Sequence, residues 1–344
     1  MIVSICGFNC SGSSAVIHLL KEYDETKIID FECMILDLPD GIRDLDYCLH
    51  AGGGYFREDR AMLRFRKMVH NHRYIQKYSG RKADAITEQY LDKLTAVQWQ
   101  GRSVYDYIYH DTAEKYLWYL RRLFEKIIYS GTKKRVGFTN RQMRMKAAGQ
   151  DFYDVTREYM DKLICAFGGD LNKVTVMDQL IPPVNTEKYL KYVNNGKAII
   201  VDRDPRDMYL NLHMGRDCNC VPLTAKEFVE YHKQWWESQE TYRDSACVLY
   251  IQFEDLIYHY EETVAKIEAF LGLTKHSRKR KIFRPEFSIN NTQIFRRVKG
   301  YENDIRYIEQ ELKDYLYPYP EGSIEKLSKE YKFEKTSLWK SGQS

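Results

Sequence analysis

Short apolar runs rich in β-branched residues alternate along the chain with segments of helical periodicity. The runs are typical of buried strands, and they lie at residues 2–6, 26–34, 174–178, 198–202 and 248–253. Apolar residues spaced three and four apart predict helices, which we place at residues 15–20, 112–129, 153–167, 186–195, from 205 onward and at 260–271. Such alternation predicts an α/β fold of three layers, in which helices flank a central, mainly parallel sheet.

The same pattern suggests one large domain with an insertion. We assign residues 1–300 to the α/β domain, with a basic helical insertion at about 55–170, and residues 301–344 to a C-terminal helical extension packed on it. Within the insertion, residues 57–82 are expected to form one amphipathic helix with a basic face. Residues 112–129 are expected to form a core helix, buried through Leu117, Leu120, Phe124, Ile127 and Ile128. We also predict short helices at 304–315 and 323–331 and a loosely ordered tail at 335–344.

Composition narrows the class of protein. The net charge of the 344 residues is +4, which suits an anionic ligand but is small for a nucleic-acid-binding protein. No stretch approaches the length of a membrane span, and Met1 leads directly into the first strand, so we expect a cytoplasmic protein without a transmembrane segment. Cys218 and Cys220 are too close for an ordinary zinc pair and no partner pair follows, so no metal site is predicted.

The segment between the first strand and the first helix has the character of a phosphate-binding loop. Gly7 and Gly12 have the spacing of the glycines in G-x-x-x-x-G-K-[ST], which makes the predicted fold one of P-loop type. Ser13 stands where a nucleoside triphosphatase has its lysine. Backbone N–H groups of the loop and the helix N-terminus would bind the anion. The candidate ligand-binding residues are Asn9, Cys10, Ser11, Gly12, Ser13, Ser14 and Ala15.

Further polar residues follow other predicted strands. Arg203 comes directly after the strand at 198–202, with Asp204 as a candidate helix cap and Asn211 about two turns into the next helix. Glu32 and Asp178 each stand at the carboxyl end of a strand. Because open α/β sheets bind ligands at that edge, the arginine is a candidate anion ligand and the carboxylates are candidate bases or anchors.

Three segments together resemble the sulfotransferases that use 3'-phosphoadenosine-5'-phosphosulfate (PAPS). Cys-Ser-Gly-Ser-Ser at 10–14 is similar to the family's 5'-phosphosulfate loop, usually Lys/Arg-Ser-Gly-Thr-Thr. Val-Asp-Arg-Asp-Pro-Arg-Asp at 201–207 is similar to its 3'-phosphate segment. Residues 250–256 and 270–273 resemble the family's "yEDL…FLGL" stretch, so the resemblance covers roughly 1–20 and 174–300.

The resemblance implies a PAPS-dependent transferase that moves a sulfuryl group to a hydroxyl or amine of an acceptor. The loop would hold the 5'-phosphosulfate, while Arg203 and Asn211 would hold the 3'-phosphate. Arg296, Arg297 and Lys299 are further candidates for that phosphate. By the same resemblance Glu32 lies where glycan-acting members place a glutamate base, which together with the basic segments favours a carbohydrate, such as a surface polysaccharide, as acceptor.

The sequence departs from the family pattern at Cys10, where a lysine or arginine is usual. Arg57 or Arg141 could supply the missing cation, or PAPS could bind poorly. As base we favour Glu32 over Asp178. Two alternatives stay open: a P-loop nucleotide kinase or NTPase, and a non-catalytic protein that binds PAPS without transferring sulfate.

Overall fold

The computed structural model describes residues 1–8, 10–103, 105–130, 137–149, 151–215, 222–239, 245–274 and 282–327. The chain divides into two compact units: residues 1–34 together with 168–344 form the first, and residues 35–167 form the second. In the sequence, the second unit is therefore one continuous insertion between two strands of the first.

Seven strands occur within these described ranges. They are β1 (Ile2–Gly7), β2 (Thr26–Glu32), β3 (Thr95–Gly101), β4 (Arg141–Lys146), β5 (Val174–Asp178), β6 (Gly196–Asp202) and β7 (Val248–Gln252). The α-helices of the same ranges are α1 (Ser13–Leu20), α2 (Ile42–His50), α3 (Tyr55–Asn71), α4 (Arg73–Tyr78), α5 (Ala83–Lys93), α6 (Thr112–Ile128), α7 (Phe152–Ala166), α8 (Thr186–Leu190), α9 (Pro205–Gly215), α10 (Ala225–Gln239), α11 (Asp255–Tyr258), α12 (Tyr260–Leu271), α13 (Pro285–Ser288) and α14 (Glu302–Glu311). Short 3₁₀ turns lie at Asp106–Tyr109, Ile289–Asn291, Ile294–Arg296, Lys313–Tyr315 and Ser323–Lys326.

The first unit is built on a five-stranded sheet in the order β2-β5-β1-β6-β7, and every pair in it is parallel. The strands are apolar and buried because helices cover both faces. On one face Ile5 and Val201 pack with residues of α1 and α12, whereas Cys6 and Ile200 belong to a cluster on the other face, against which Leu190 of α8 packs. The chain thus has the predicted three-layer α/β fold with a central parallel sheet.

The second unit combines helices with a small antiparallel sheet. In that sheet β3 pairs with β4, with Trp99 opposite Met143. Its helical core is aromatic: the rings of Tyr90 on α5 and Tyr159 on α7 stack with their centroids 4.4 Å apart, and Phe65 of α3 packs edge-on against both. The Tyr90 hydroxyl shares a 2.8 Å hydrogen bond with Thr156, which satisfies a polar atom that burial would otherwise leave unpaired.

Several sequence predictions need correction. The helix expected at 57–82 is interrupted at His72, whose backbone is extended and whose imidazole accepts the Ile75 N–H to cap α4. The helix expected at 186–195 ends at Leu190. The helix at 112–129 forms as predicted, but its apolar residues are exposed instead of lying in the core. The pair Cys218 and Cys220, residues 328–331 of the last predicted helix and the tail at 335–344 lie outside the described residues.

Among the described residues, no helix combines the length and the apolar character needed to cross a membrane.

Candidate functional site

The loop between β1 and α1 is a tight curl of backbone. Cys10 and Gly12 have positive φ angles of 64° and 92°. The Ser11 N–H donates to the Phe8 carbonyl at 2.9 Å, and the Ala15 N–H donates to the Gly12 carbonyl at the same distance. The N–H groups of Gly12, Ser13 and Ser14 lie between these two bonds and have no acceptor within the part of the chain that the structure describes.

Both loop glycines are required by close packing. A Cβ on Gly7 would lie 2.1 Å from the Ser11 hydroxyl oxygen and 2.6 Å from the Val201 carbonyl oxygen. A Cβ on Gly12 would lie 2.5 Å from the ring of Phe253, and the left-handed backbone there already disfavours any side chain. The glycine spacing noted in the sequence therefore reflects contacts with the neighbouring strand ends.

The loop has the features of an anion-binding site. The first turn of α1 contains no acidic residue, and no side chain caps it. The buried Ser11 hydroxyl has no hydrogen-bond partner among the described residues. Uncapped N–H groups at a helix N-terminus attract anions through the helix dipole. The hydroxyls of Ser13 and Ser14 stand beside these groups, whereas the Ala15 N–H is occupied by the Gly12 carbonyl.

Arg203 lies against this loop, although it is far away in the sequence. β6 neighbours β1 in the sheet, so its carboxyl end brings the arginine to the loop. One guanidinium nitrogen donates to the Cys10 carbonyl at 2.8 Å, another donates to the Asn291 carbonyl, and the group lies 5.0 Å above the ring of Phe253. Arg203 is buried, and its Nε has no partner among the described residues. The arginine therefore braces the loop and places a permanent positive charge beside it.

Cys10 itself faces an apolar environment. Its partly buried side chain packs against a hydrophobic cluster that includes Phe8 and Trp235, whose rings stack 4.0 Å apart. The two arginines suggested as substitutes for a loop cation both belong to the second unit. There Arg141 is held by Asp59 and Asp106 through N–O contacts of 2.6 and 3.0 Å, and the exposed Arg57 lies 5.8 Å from the ring centre of Tyr47.

The remaining predicted phosphate ligands lie on α9 and in the segment that follows α13. Asn211 is half-buried on α9, and the exposed Arg296 and Lys299 flank a turn. Arg297 donates to the carbonyls of Asn290 and Thr292 at 2.6 and 2.7 Å, so it orders the segment that follows α13. Asn9 lies outside the described residues.

The two predicted carboxylates are neighbours in the sheet. Glu32 ends β2 directly beside Asp178, which ends β5. Because β5 lies between β2 and β1, Asp178 is on the loop side of the pair, and the adjacent Gln179 reaches the Ser13 hydroxyl at 3.5 Å. Burial, and then the charges of Glu32 and Asp30, raise the pKa of Asp178 to about 7. Its Oδ1 has no partner among the described residues, as expected for an acid that can exchange a proton.

Sequence reasoning missed a buried network behind Arg203. Asp204 accepts hydrogen bonds from the Arg206 backbone and guanidinium, which confirms it as the cap of α9. Asp207 accepts the Ile294 N–H at 2.7 Å, and Glu254 accepts the Asp204 N–H at 3.1 Å. Burial, followed by the charge of Asp204, raises the pKa of Asp207 to about 6. The available signal was the acid that follows each of the strands β6 and β7.

A metal would need a cluster of at least three His, Cys, Asp or Glu side chains, and the described ranges contain none that could hold one.

Comparisons with known proteins add little to this geometry. No family model matches the chain, and no curated protein matches it significantly. Among solved structures, the chain is similar to sulfotransferase STF9 from Mycobacterium avium, with 10% identity and a TM-score of 0.34 over 92% of this chain and 77% of that one. It is also similar to the sulfotransferase domain of the Synechococcus PCC 7002 olefin synthase, with 10% identity and a TM-score of 0.34 over 93% and 96% of the two chains. At these values neither likeness bears on the donor or the acceptor, so the site is interpreted from its own residues.

Proposed function

We propose that this protein transfers a sulfuryl group from PAPS to a hydroxyl of a carbohydrate acceptor. The observation that carries the proposal is the loop before α1, a backbone cradle for one anion that lacks a lysine and is braced by Arg203. P-loop nucleoside triphosphatases place a lysine at the position of Ser13, where it reaches the β- and γ-phosphates. The 5'-phosphosulfate loop that this segment resembles has a threonine there and its cation at the position of Cys10, so Ser13 favours PAPS over ATP and the cation has to come from another residue.

The loop residues would bind the anionic end of the donor. The N–H groups of Gly12, Ser13 and Ser14 would donate to its oxygens, helped by the hydroxyls of the two serines. Arg203 would provide the positive charge that a loop lysine gives in the family pattern, because it contacts the Cys10 carbonyl directly. This role replaces the 3'-phosphate contact that the resemblance implied for Arg203. Asn211, Arg296 and Lys299 remain the proposed ligands of the 3'-phosphate.

The two carboxylates would together remove the proton from the acceptor hydroxyl. When bound, PAPS supplies the sulfuryl group: the acceptor oxygen bonds to sulfur as the bond from sulfur to the phosphate oxygen breaks. We assign Asp178 as the base that takes the acceptor proton, because its pKa of about 7 matches the working pH and one of its oxygens lacks a partner. Glu32 would act through its charge, which helps to raise that pKa. This assignment replaces our preference for Glu32 from the sequence.

Calorimetric titration tests the donor class. Adenosine 3',5'-bisphosphate should bind at least about tenfold more tightly than ATP in the presence of magnesium, because the loop has no group for a γ-phosphate. Tighter binding of ATP would favour a kinase or NTPase. Arg203→Ala should weaken binding of the bisphosphate. The control variant Arg284→Ala, which removes an arginine that lies over the exposed Phe287, should leave this binding unchanged.

Transfer of labelled sulfate from PAPS tests the reaction. The acceptors to compare are neutral glycans, anionic glycans, phenols and lipids, and we expect product with glycans. A second candidate, a non-catalytic PAPS-binding protein, is favoured by one observation: Cys10 packs against apolar residues where a catalytic cation is usual. Tight binding of the bisphosphate without transfer to any acceptor would support that candidate and overturn the catalytic proposal.

A further inference from the structure

Helix α6 is amphipathic, but it is oriented opposite to an ordinary surface helix. Its one buried side chain among the described residues is Glu125. Its apolar side chains are exposed, from 48% for Leu117 to 68% for Tyr116. They are Tyr116, Leu117, Tyr119, Leu120, Leu123, Phe124, Ile127 and Ile128. Helices of folded proteins normally turn such a stripe toward the core.

The polar face of α6 is what anchors it. Glu125 accepts hydrogen bonds from Arg102 at 2.6 Å and from Arg122 at 2.7 Å. The Thr139 N–H and hydroxyl donate to its other oxygen at 2.6 and 2.8 Å. Because these four bonds occupy both carboxylate oxygens, the polar side is fixed inward, and the apolar side cannot turn over without breaking them. The exposed face is therefore a built feature of the second unit.

The exposed face is large and continuous. At 3.6 residues per turn, its eight side chains occupy roughly half of the helix circumference. At the C-terminal end of α6, Phe124 and Ile128 continue into an open cleft that they line together with Arg121 and Phe138. Monomeric proteins seldom leave a contiguous apolar surface of this kind uncovered unless it binds something.

Cations border this face on both sides. Arg121 lies roughly 110° from its centre on one side, where the exposed Glu114 one heptad earlier is hydrogen-bonded to His110 at 3.0 Å. Lys126 lies roughly 110° from the centre on the other side, with Lys115 nearby. None of the three cations forms an ion pair within the residues that the structure describes, and the acidic Glu125 is already neutralised by two arginines. Aliphatic and aromatic residues flanked by lysine and arginine are typical of helices that lie in the plane of a lipid bilayer.

The cationic borders also argue against a second copy of this chain as the occupant. In an antiparallel pair of α6 faces, the border with Lys115 and Lys126 of one copy would face the same border of the other, and like charges placed opposite each other oppose association. An anionic bilayer offers the complementary charge, and its interface accommodates the amphipathic rings of Tyr116 and Tyr119.

We infer that the apolar face of α6 is a membrane-docking surface that binds anionic lipid bilayers peripherally. The helix lies on the bilayer with its leucine, isoleucine and phenylalanine side chains inserted between lipids, while Arg121 and Lys126 contact the headgroups. This binding does not depend on the proposed sulfuryl transfer.

Vesicle cosedimentation of the full-length protein tests the inference. Vesicles of phosphatidylcholine that contain phosphatidylglycerol should bind the protein at least about tenfold more tightly than vesicles of pure phosphatidylcholine, because each cation near an anionic surface contributes about 1 kcal/mol. Leu123→Glu combined with Ile127→Glu should lower the affinity at least about tenfold, and Arg121→Gln combined with Lys126→Gln should lower it severalfold while removing most of its salt dependence.

A matched control separates the face from the added charge. Leu223→Glu combined with Phe287→Glu changes two comparably exposed apolar residues of the first unit and should bind vesicles like the wild type. Failure of the wild type to bind anionic vesicles would overturn the inference. So would an equal loss of vesicle affinity in the Leu123/Ile127 variant and in the Leu223/Phe287 control. So would a dimer in light scattering that the Leu123/Ile127 double variant converts to a monomer, since the face would then be an interface between copies. Circular dichroism shows that each variant is folded.

Discussion

Two carboxylates of this protein, Glu125 and Asp178, have neighbours that shift their pKa values in opposite directions. Both lie on the inside of their units, yet Glu125 is surrounded by donors and Asp178 by other carboxylates. Burial alone raises the pKa of Glu125, but the bonds from Thr139, Arg122 and Arg102 reverse this and lower it to about 2. For Asp178 burial acts in the same direction as its acidic neighbours, and its pKa rises to about 7.

The difference separates an anchor from a reactive group. A carboxylate whose oxygens are fully bonded stays ionised at every physiological pH and holds structure in place. A carboxylate with an unpartnered oxygen and a pKa near neutrality can accept a proton and release it again. In this chain the first kind orients α6 and the second kind stands beside the loop between β1 and α1, so the partners of each acid indicate its role better than its burial does.

The largest expected effect is on catalysis. Asp178→Asn should lower sulfuryl transfer by about 10²–10⁴-fold, the usual contribution of a positioned base. Binding of adenosine 3',5'-bisphosphate should stay close to that of the wild type, because the loop contacts are unchanged. The check is initial rates with labelled PAPS beside calorimetry. Transfer at the wild-type rate would show that Asp178 is not the base.

The same substitution should stabilise the fold at alkaline pH. A carboxyl whose pKa is raised on folding contributes stability at low pH, and this is lost as the pH rises from about 3.8 to about 7. Asp178→Asn should therefore raise the free energy of unfolding at pH 8 by up to about 4 kcal/mol and leave it nearly unchanged at pH 3. Urea denaturation at the two pH values measures this, and equal effects at both would contradict the raised pKa.

Glu125 should behave in the opposite way. Its lowered pKa contributes stability above about pH 4.5, which is lost as the pH falls toward 2. Glu125→Gln should thus lower the free energy of unfolding at pH 7 by roughly 1–3 kcal/mol, because two arginines lose their charged partner. Glu114→Gln, on the exposed N-terminal turn of the same helix, is the matched control and should change it by less than about 0.5 kcal/mol. If the two variants lost equal stability, Glu125 would not be an anchor.

The smallest effect concerns the tuning of Asp178. Glu32→Gln removes the main charge that raises its pKa, so the acidic limb of the pH–rate profile should move to lower pH by less than about one unit. Asp30→Asn, which removes the weaker of the two acidic influences, should move it less. Loss of transfer at every pH in Glu32→Gln would instead make Glu32 the base.

Much of the fold was predictable from the sequence, because the buried parallel strands are continuous apolar runs. The predicted bounds of β5 match the structure, and those of β1, β6 and β7 differ by two residues or fewer. β3 was missed although Val97 and Trp99 alternate with glutamines, because the alternating run is short, its apolar residues are exposed, and its partner β4 is distant along the chain. The orientation of α6 was wrong for a related reason. Periodicity identifies an apolar face, but only the bonds of Glu125 decide which way that face points.

At the candidate site, the ends of the predicted strands gave the positions of the site residues correctly but not their hydrogen-bond partners. Arg203 and Asp178 lie at the predicted edge of the sheet. That Arg203 donates to backbone carbonyls, and that the Ser11 N–H is occupied by Phe8, depends on loop geometry that residue type alone does not specify.

The curl of the loop between β1 and α1 has a thermodynamic consequence. The bond from Ser11 to Phe8, the contact of Gly12 with Phe253 and the brace from Arg203 all exist without a ligand. The loop amides are therefore already aligned before an anion binds, so the loop would lose little conformational entropy on binding. A flexible glycine-rich loop would lose part of its affinity for an anion to this ordering, whereas the loop between β1 and α1 would not.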